Sequence, residues 1–156
     1  MWALGEYMRN HVTFKCTKFN LTVQHENFIN ENNFGEDLAN WLFSELAKLN
    51  AVKVGELGQE DWGWYLPLEY SELSFYLNLG EYPSDETDWL LWVESPRVGL
   101  FKKLKKVNYI QETNLVSNIV NKILLTEKSI SESRWHLEKN FKVGNESEYE
   151  QSPTPA

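Results

Sequence analysis

The sequence predicts an α+β domain: an antiparallel sheet of about five strands with helices packed on one face. Three observations lead there. Between Val52 and Glu94 several segments alternate apolar and polar residues with period two, with no helical pattern among them. Two segments with a 3.6-residue apolar stripe lie outside that run, one before it and one after. The connections inside the run are short, so neighbouring strands pair antiparallel.

The first extended segment is VTFKCTKFNLTV, residues 12–23. Val12, Phe14 and Cys16 share one parity, and Phe19, Leu21 and Val23 share the other. Strand side chains alternate between faces, so the switch calls for a bulge or a short hairpin near Thr17–Lys18. The asparagine-rich HENFINENN reads as a loop. A helix is expected from Asn33, with Asn33 as cap and Glu36 completing a capping box. Leu38, Trp41, Leu42, Leu46 and Leu49 form its apolar stripe, opposite Asp37, Asn40, Ser44 and Lys48.

AVKVGELG reads as a short edge strand. In the next strand Trp62, Trp64, Leu66, Leu68 and Tyr70 alternate with Gly63, Tyr65, Pro67 and Glu69. Pro67 has no N–H to give to a ladder, which marks an edge or a bulge. Leu73, Phe75, Leu77 and Leu79 alternate in turn, and the short break at Tyr70–Glu72 implies a hairpin. GEYPSDETD is a turn by composition. In DWLLWVES both parities are apolar, as in a central strand. The basic segment LFKKLKKVNY is ambiguous. Leu115, Ile119, Ile123 and Leu124, with Val116 and Val120, form the second helical stripe. SISESRWHLEKNF fits a last strand or a short helix. Residues 10–140 parse as one domain, and the polar stretch 141–156 as a disordered tail.

Composition narrows the function classes. Aromatics are 14% of the chain, with seven tryptophans, so a packed core is expected. The formal net charge of -8 argues against direct nucleic-acid binding and against an anionic membrane surface, since phosphates attract Lys and Arg. Cys16 is the single cysteine, so no intrachain disulfide can form, and a reducing cytoplasmic setting is the default. No apolar run is long enough for a membrane span, and no signal peptide is recognisable. His11, His25 and His136 show no metal-ligand spacing, and no phosphate-binding glycine loop, nucleophile elbow or CxxC is present; no cofactor or metal is implied.

The charge pattern is the strongest departure from the ordinary. From Val54 to Pro96 there is no Lys, Arg or His, while ten acids occur between Glu56 and Glu94. A basic block, Arg97 to Lys106, follows. Solvated loop charges that pair across the fold would account for this. So would an acidic, aromatic face that steers and holds a basic partner. The stretch EDWGWYL concentrates the second reading: Glu60 and Asp61 beside Trp62 and Trp64, with Gly63 allowing close backbone approach. One exposed ring beside two acids would offer a cation–π anchor; two buried rings would be ordinary core. Asp85, Glu86, Asp88 and Trp89 form a second acidic-aromatic group. As acid–base pairs these carboxylates fit poorly, because neighbours on a strand point to opposite faces and turn acids are common. The 85–88 cluster also lacks the glycine and distant glutamate of an EF-hand loop.

EDWGWYLPLEYSELSFYLNLGEY, DWLLWVES and the two helical stripes resemble small, acidic, tryptophan-rich bacterial immunity proteins. The resemblance implies a non-enzymatic protein that blocks a toxin, often a nuclease, by setting acids against basic residues. Phage-encoded inhibitors of host defence share the profile. The expected function is therefore an acidic binding protein for a basic protein partner. Glu60, Asp61, Asp85, Glu86 and Asp88 would pair with it, and Trp62, Trp64 and Trp89 would anchor it. Two alternatives stand beside it. One is a small-molecule-binding or hydrolytic domain with a tryptophan-lined pocket and a carboxylate. The other is a homodimer built on the aromatic edge strand.

Overall fold

The structure, a computed structural model, describes residues 8–19, 34–96 and 109–154. In chain order these form β1 (Arg9–Lys15), α1 (Glu36–Ala47), β2 (Val52–Val54), β3 (Gly58–Glu60), β4 (Gly63–Tyr70), β5 (Leu73–Glu81), β6 (Trp89–Glu94), α2 (Ile110–Thr126), β7 (Ser131–Leu137) and α3 (Glu138–Lys142). The class is α+β. The strands make one seven-stranded antiparallel sheet in the order β2-β4-β5-β6-β1-β7, with β3 also paired to β4. The expected sheet of about five is extended by β3, split off from β2, and by β7. The first strand of the chain lies inside the sheet, flanked by β6 and β7.

Strand alternation divides the sheet into two unlike faces. Val12 and Phe14 of β1, Trp64, Leu66 and Leu68 of β4, Phe75, Leu77 and Leu79 of β5, and Trp89, Leu91 and Val93 of β6 are all buried. The helix α1 lies over β2 and β4, and α2 over β1 and β6. Leu38, Leu42 and Leu46 of α1, and Val116, Val120, Ile123 and Leu124 of α2, close the core. Trp135 of β7 is fully buried there, and its indole N–H donates to Asn121 Oδ1 of α2 at 2.9 Å. A buried indole N–H needs such a partner, so this bond fixes where α2 crosses β7.

Several local expectations are corrected. The helix α1 starts at Glu36, not at a capping box on Asn33; Gly35 is the cap residue, with φ +108° and no side-chain cap. A Cβ there would come within 2.9 Å of the Trp89 ring, so Gly35 serves both the turn and the packing. Asn33 lies outside the described residues, as do the strand segment 20–23, His25 and the basic block 97–106. The stripe of α2 is centred on Val116 and Val120, and Leu115 is exposed. The ambiguous segment after α2 is both things in turn, strand β7 and then the short helix α3.

Pro67 sits in β4, a strand paired on both sides, yet its missing N–H costs nothing. On one side β4 pairs with β5 without a break. On the other, β2 pairs with residues 68–70 and β3 with 63–65, and Pro67 falls in the gap between them. Its carbonyl accepts from Gly55 N–H at 2.7 Å. The proline is thus where the flanking strand divides.

The described residues after β7 pack against the rest of the fold. Helix α3 lies on the face opposite α1 and α2, where Phe141 stacks on His11 (5.0 Å) and meets His136 at a tilt (5.4 Å). Glu150 and Trp135 exchange backbone hydrogen bonds of 2.7 and 2.9 Å, which adds a bridge beside β7. The Thr154 hydroxyl hydrogen-bonds the Asn118 side chain of α2. These contacts use the backbone of Glu150 and the polar side chain of Thr154, so a polar sequence is compatible with them. Residues up to Thr154 are thus held against the sheet and α2.

Candidate functional site

The open face of the sheet carries the candidate site. Cross-strand register lines up Tyr65, Asn78, Trp92, His11 and His136 in one row across β4, β5, β6, β1 and β7. Pro67, Tyr76 and Glu94 form the neighbouring row. Such rows put side chains within contact distance of one another. At the β1–β7 side, α3 and the chain end cover the row. At the β4–β5 side it stays open.

The motif EDWGW shapes this open end. β3 and β4 form a tight hairpin whose loop is Asp61–Trp62, with Glu60 opposite Gly63. A Cβ on Gly63 would lie 2.1 Å from the Leu79 carbonyl oxygen, and one on Gly80 would lie 2.6 Å from the Trp62 carbonyl oxygen. The two glycines let the hairpin loop cross directly over β5. The strand begins at Gly63, so Trp62 does not share the parity of Trp64. Trp64 goes inward, 6% exposed, and donates its N–H to the Phe34 carbonyl. Trp62 lies on the open face, 46% exposed, with its ring 5.0 Å from Trp92.

A groove of 530 Å³ lies beside it, lined by Glu60, Trp62, Tyr65, Tyr76, Asn78 and Glu94. Tyr65 and Tyr76 meet edge to face at 6.0 Å. The Tyr65 ring covers Gly58, where a Cβ would stand 2.0 Å from it. Asn78, 4% exposed, donates to Glu94 Oε2 at 3.4 Å. The lining thus combines three aromatic rings and two carboxylates, and among the described residues it contains no Lys, Arg or His. Chemically it is suited to a cation with an apolar stem: ring faces attract the charge, and carboxylates accept its hydrogen bonds.

The other expected site residues divide sharply. Trp89 is fully buried and donates to the Cys16 carbonyl at 2.9 Å; like Trp64 it is core and cannot anchor a partner. Asp88 accepts from Cys16 N–H at 2.8 Å and ties the loop before β6 to the end of β1. Glu86 pairs with Arg134 of β7, and Lys15 donates to the Asp85 carbonyl. Thr87 and Ser84 close the same loop on itself. Glu86 and Asp88 are therefore spoken for by the fold. Register puts Glu60–Trp62 and Asp85–Asp88 at the same end of the sheet, the first group over β5 and the second beside β1 and β7. Of the expected residues Glu60 and Trp62 line the groove, and Asp61 is exposed in the adjoining hairpin loop.

Tyr65, Tyr76, Asn78 and Glu94 were missed. The signal was present: each has the outward parity of its strand, opposite the leucines and phenylalanine of the core.

The covered end of the row holds both described histidines. His11 is sandwiched between Trp92 and Phe141, and its Nδ1 pairs with Asn10 Oδ1 at 2.9 Å. Burial lowers its pKa from 6.5 to about 4. Glu138 opposes that drop, while Lys142 and His136 add to it. Burial also lowers the pKa of His136, whose Nε2 bonds the Thr13 hydroxyl at 3.0 Å. Tyr82, which donates to the Glu146 carboxylate, is pushed up to about 12, chiefly by burial. These groups hold the chain end in place.

Cys16 is buried, its Sγ 3.4 Å from the Ser129 hydroxyl. Among the described residues, no cluster of three or more His, Cys, Asp or Glu side chains is placed to hold a metal ion, and no helix is long and apolar enough to cross a membrane. Comparison with protein-family models, curated proteins and solved structures found no match.

Proposed function

We propose that the protein is a non-enzymatic, cytoplasmic binding protein that neutralises a basic protein partner, as an immunity protein blocks a nuclease-type toxin. The observation that supports this most is the groove between the β3–β4 hairpin and the open face. Trp62 stands half exposed there, beside Glu60 and Glu94. An exposed tryptophan held by backbone glycines in a tight crossing is a strong candidate for an interface anchor. The surrounding acids extend the field: Glu56, Asp61, Glu69 and Glu72 are exposed on the same hairpins. Acidic fields of this kind speed association with basic partners and weaken with salt.

The test is a pull-down from the source cell's lysate at low and high salt, with wild type and a Glu60→Lys, Asp61→Lys double variant side by side. The reading expects one basic protein that wild type holds at low salt, that salt releases, and that the variant holds weakly. Equal retention by both proteins at both salts sinks it. A complete lack of protein partners would favour the small-molecule reading, which the size of the groove also accommodates.

A further inference from the structure

We propose that residues 138–154 form an acid-released strap, which lifts from the β1–β7 end of the sheet when His11 and His136 take up protons. From Leu137 the chain turns back over the open face as α3, which puts Phe141 against the His11, His136 and Tyr82 rings at 5.0, 5.4 and 5.6 Å. Gly144, at φ +78°, ends α3: its N–H and that of Asn145 return to the Phe141 and Asn140 carbonyls at 3.1 and 2.9 Å. Glu146 then accepts from the Tyr82 hydroxyl, and the Tyr149 ring lies 4.8 Å from the Arg134 guanidinium. Glu150 pairs with Trp135 at the outer edge of β7, and Thr154 reaches Asn118 on α2. The segment thus crosses from one face of the sheet to the other around its β7 edge.

The ground beneath the strap is polar, and the strap adds little apolar cover. His11, Thr13 and His136 are buried there, while none of residues 138–152 is buried and Pro153 alone is. A cavity of about 300 Å³ remains between the two, with Thr13, Arg134 and His136 on the sheet side and Glu146, Ser147 and Tyr149 on the strap side. A segment with few buried apolar contacts and a gap beneath it belongs to the low-stability end of a fold and opens without the core.

Both histidines are neutral beneath the strap at neutral pH, because burial disfavours the charged ring. Among the described residues, the charged groups facing His11 are His136 of β7 and Glu138 and Lys142 of α3; β6 presents the Trp92 ring, and α2 packs on the opposite face. Those facing His136 are Arg134 of β7 and Glu146 of the strap, with the Tyr149 ring 6.1 Å away; the β5–β6 loop sets Glu86 on Arg134. Glu138 and Glu146 favour the protonated rings, but burial outweighs them. Released rings take up protons near their ordinary value of 6.5 and covered rings only below it, so acid favours release and neutral pH favours closure. With a covered value of about 4, His11 alone makes release about tenfold more favourable at about pH 5.5 than at about pH 7.5. Release would bare the Trp92–His11 end of the row, next to Trp62, and the Trp135 N–H and C=O at the sheet edge.

Hydrogen exchange of the full chain at about pH 7.5 and about pH 5.5, with each amide rate corrected for its intrinsic rate, tests the strap. The Trp135 and Glu150 amides, which bond strap to sheet, should exchange roughly tenfold or more faster than the Leu77 amide in the middle of β5. Their corrected rates should rise roughly tenfold or more on acidification. In His11→Phe that rise should shrink, while slow exchange at Leu77 shows that the variant is folded. Three results overturn the proposal. One is Trp135 and Glu150 exchanging no faster than Leu77, which would mean that they open only when the whole molecule unfolds. The others are the lack of any rise with acid and an undiminished rise in His11→Phe. If the variant does not fold, the wild-type comparison with Leu77 decides alone.

Discussion

Acid should destabilise this fold through His11 in particular. The ring is neutral in the folded protein, with a pKa lowered to about 4 from 6.5, mainly by burial between Trp92 and Phe141. In the unfolded chain it takes up a proton as the pH drops through 6.5. The unfolded state thus binds more protons between those two values, and stability falls as the pH falls across that window. Above 6.5 the contribution is fully present; below about 4 it is lost. Each pH unit between the two values is worth about 1.36 kcal/mol, so the loss from about pH 7.5 to about pH 5 is roughly 2 kcal/mol. Urea unfolding at the two pH values measures it, in wild type and in His11→Phe, which keeps the aromatic stack and removes the titration. Wild type should lose about 2 kcal/mol more than the variant over that interval. His136, whose pKa burial also lowers, leaves a smaller acid sensitivity in the variant. An equal loss in both proteins would refute the assignment of the acid sensitivity to His11.

Other perturbations probe other parts of the fold. The β4–β5 turn puts Ser71 and Glu72 at φ 53° and 64°, where glycine is favoured; Glu72→Gly should raise stability by about 1 kcal/mol in thermal unfolding. Gly80→Ala sets a methyl group 2.6 Å from the Trp62 carbonyl, a backbone atom with little room to move, and should cost on the order of 3 kcal/mol by urea unfolding. Asn121→Ala strands the buried Trp135 indole N–H and should cost about 1–3 kcal/mol by the same measurement. Truncation after Lys142 removes the Glu150 partner of the Trp135 amide, which should then exchange with deuterium much faster than in the full chain.

The fold class and the pairing of β4 with β5 were legible because one face of each strand is almost wholly apolar, and the central place of β6 because both of its faces are. Period-two alternation reads burial directly, and here burial and pairing agree. Trp62 was misread for the same reason. Its parity matched Trp64, and only the close approach of Gly63 to Leu79 and of Gly80 to Trp62 turns it to the other face. That contact joins residues distant in sequence, so no local pattern carries it. The Asp85–Asp88 acids looked like a binding group because sequence shows charge but not partners; Arg134 and the Cys16 amide reach them from the far ends of the chain. The contacts of residues 141–154 join them to side chains distant in sequence, such as Tyr82, Asn118 and Arg134, which composition does not report. Glu94 closes the groove from the opposite direction to Glu60, a juxtaposition set by strand order alone.

Site-specific photo-crosslinking in the source cell tests the central claim most directly. A photoreactive phenylalanine analogue would replace Tyr76 in the groove, 39% exposed, and in a second protein would replace Leu125 on α2, 70% exposed. The account predicts that the Tyr76 position crosslinks to one basic protein and that the Leu125 position does not. Crosslinks to that partner from Leu125 alone, or none from either position, would contradict it.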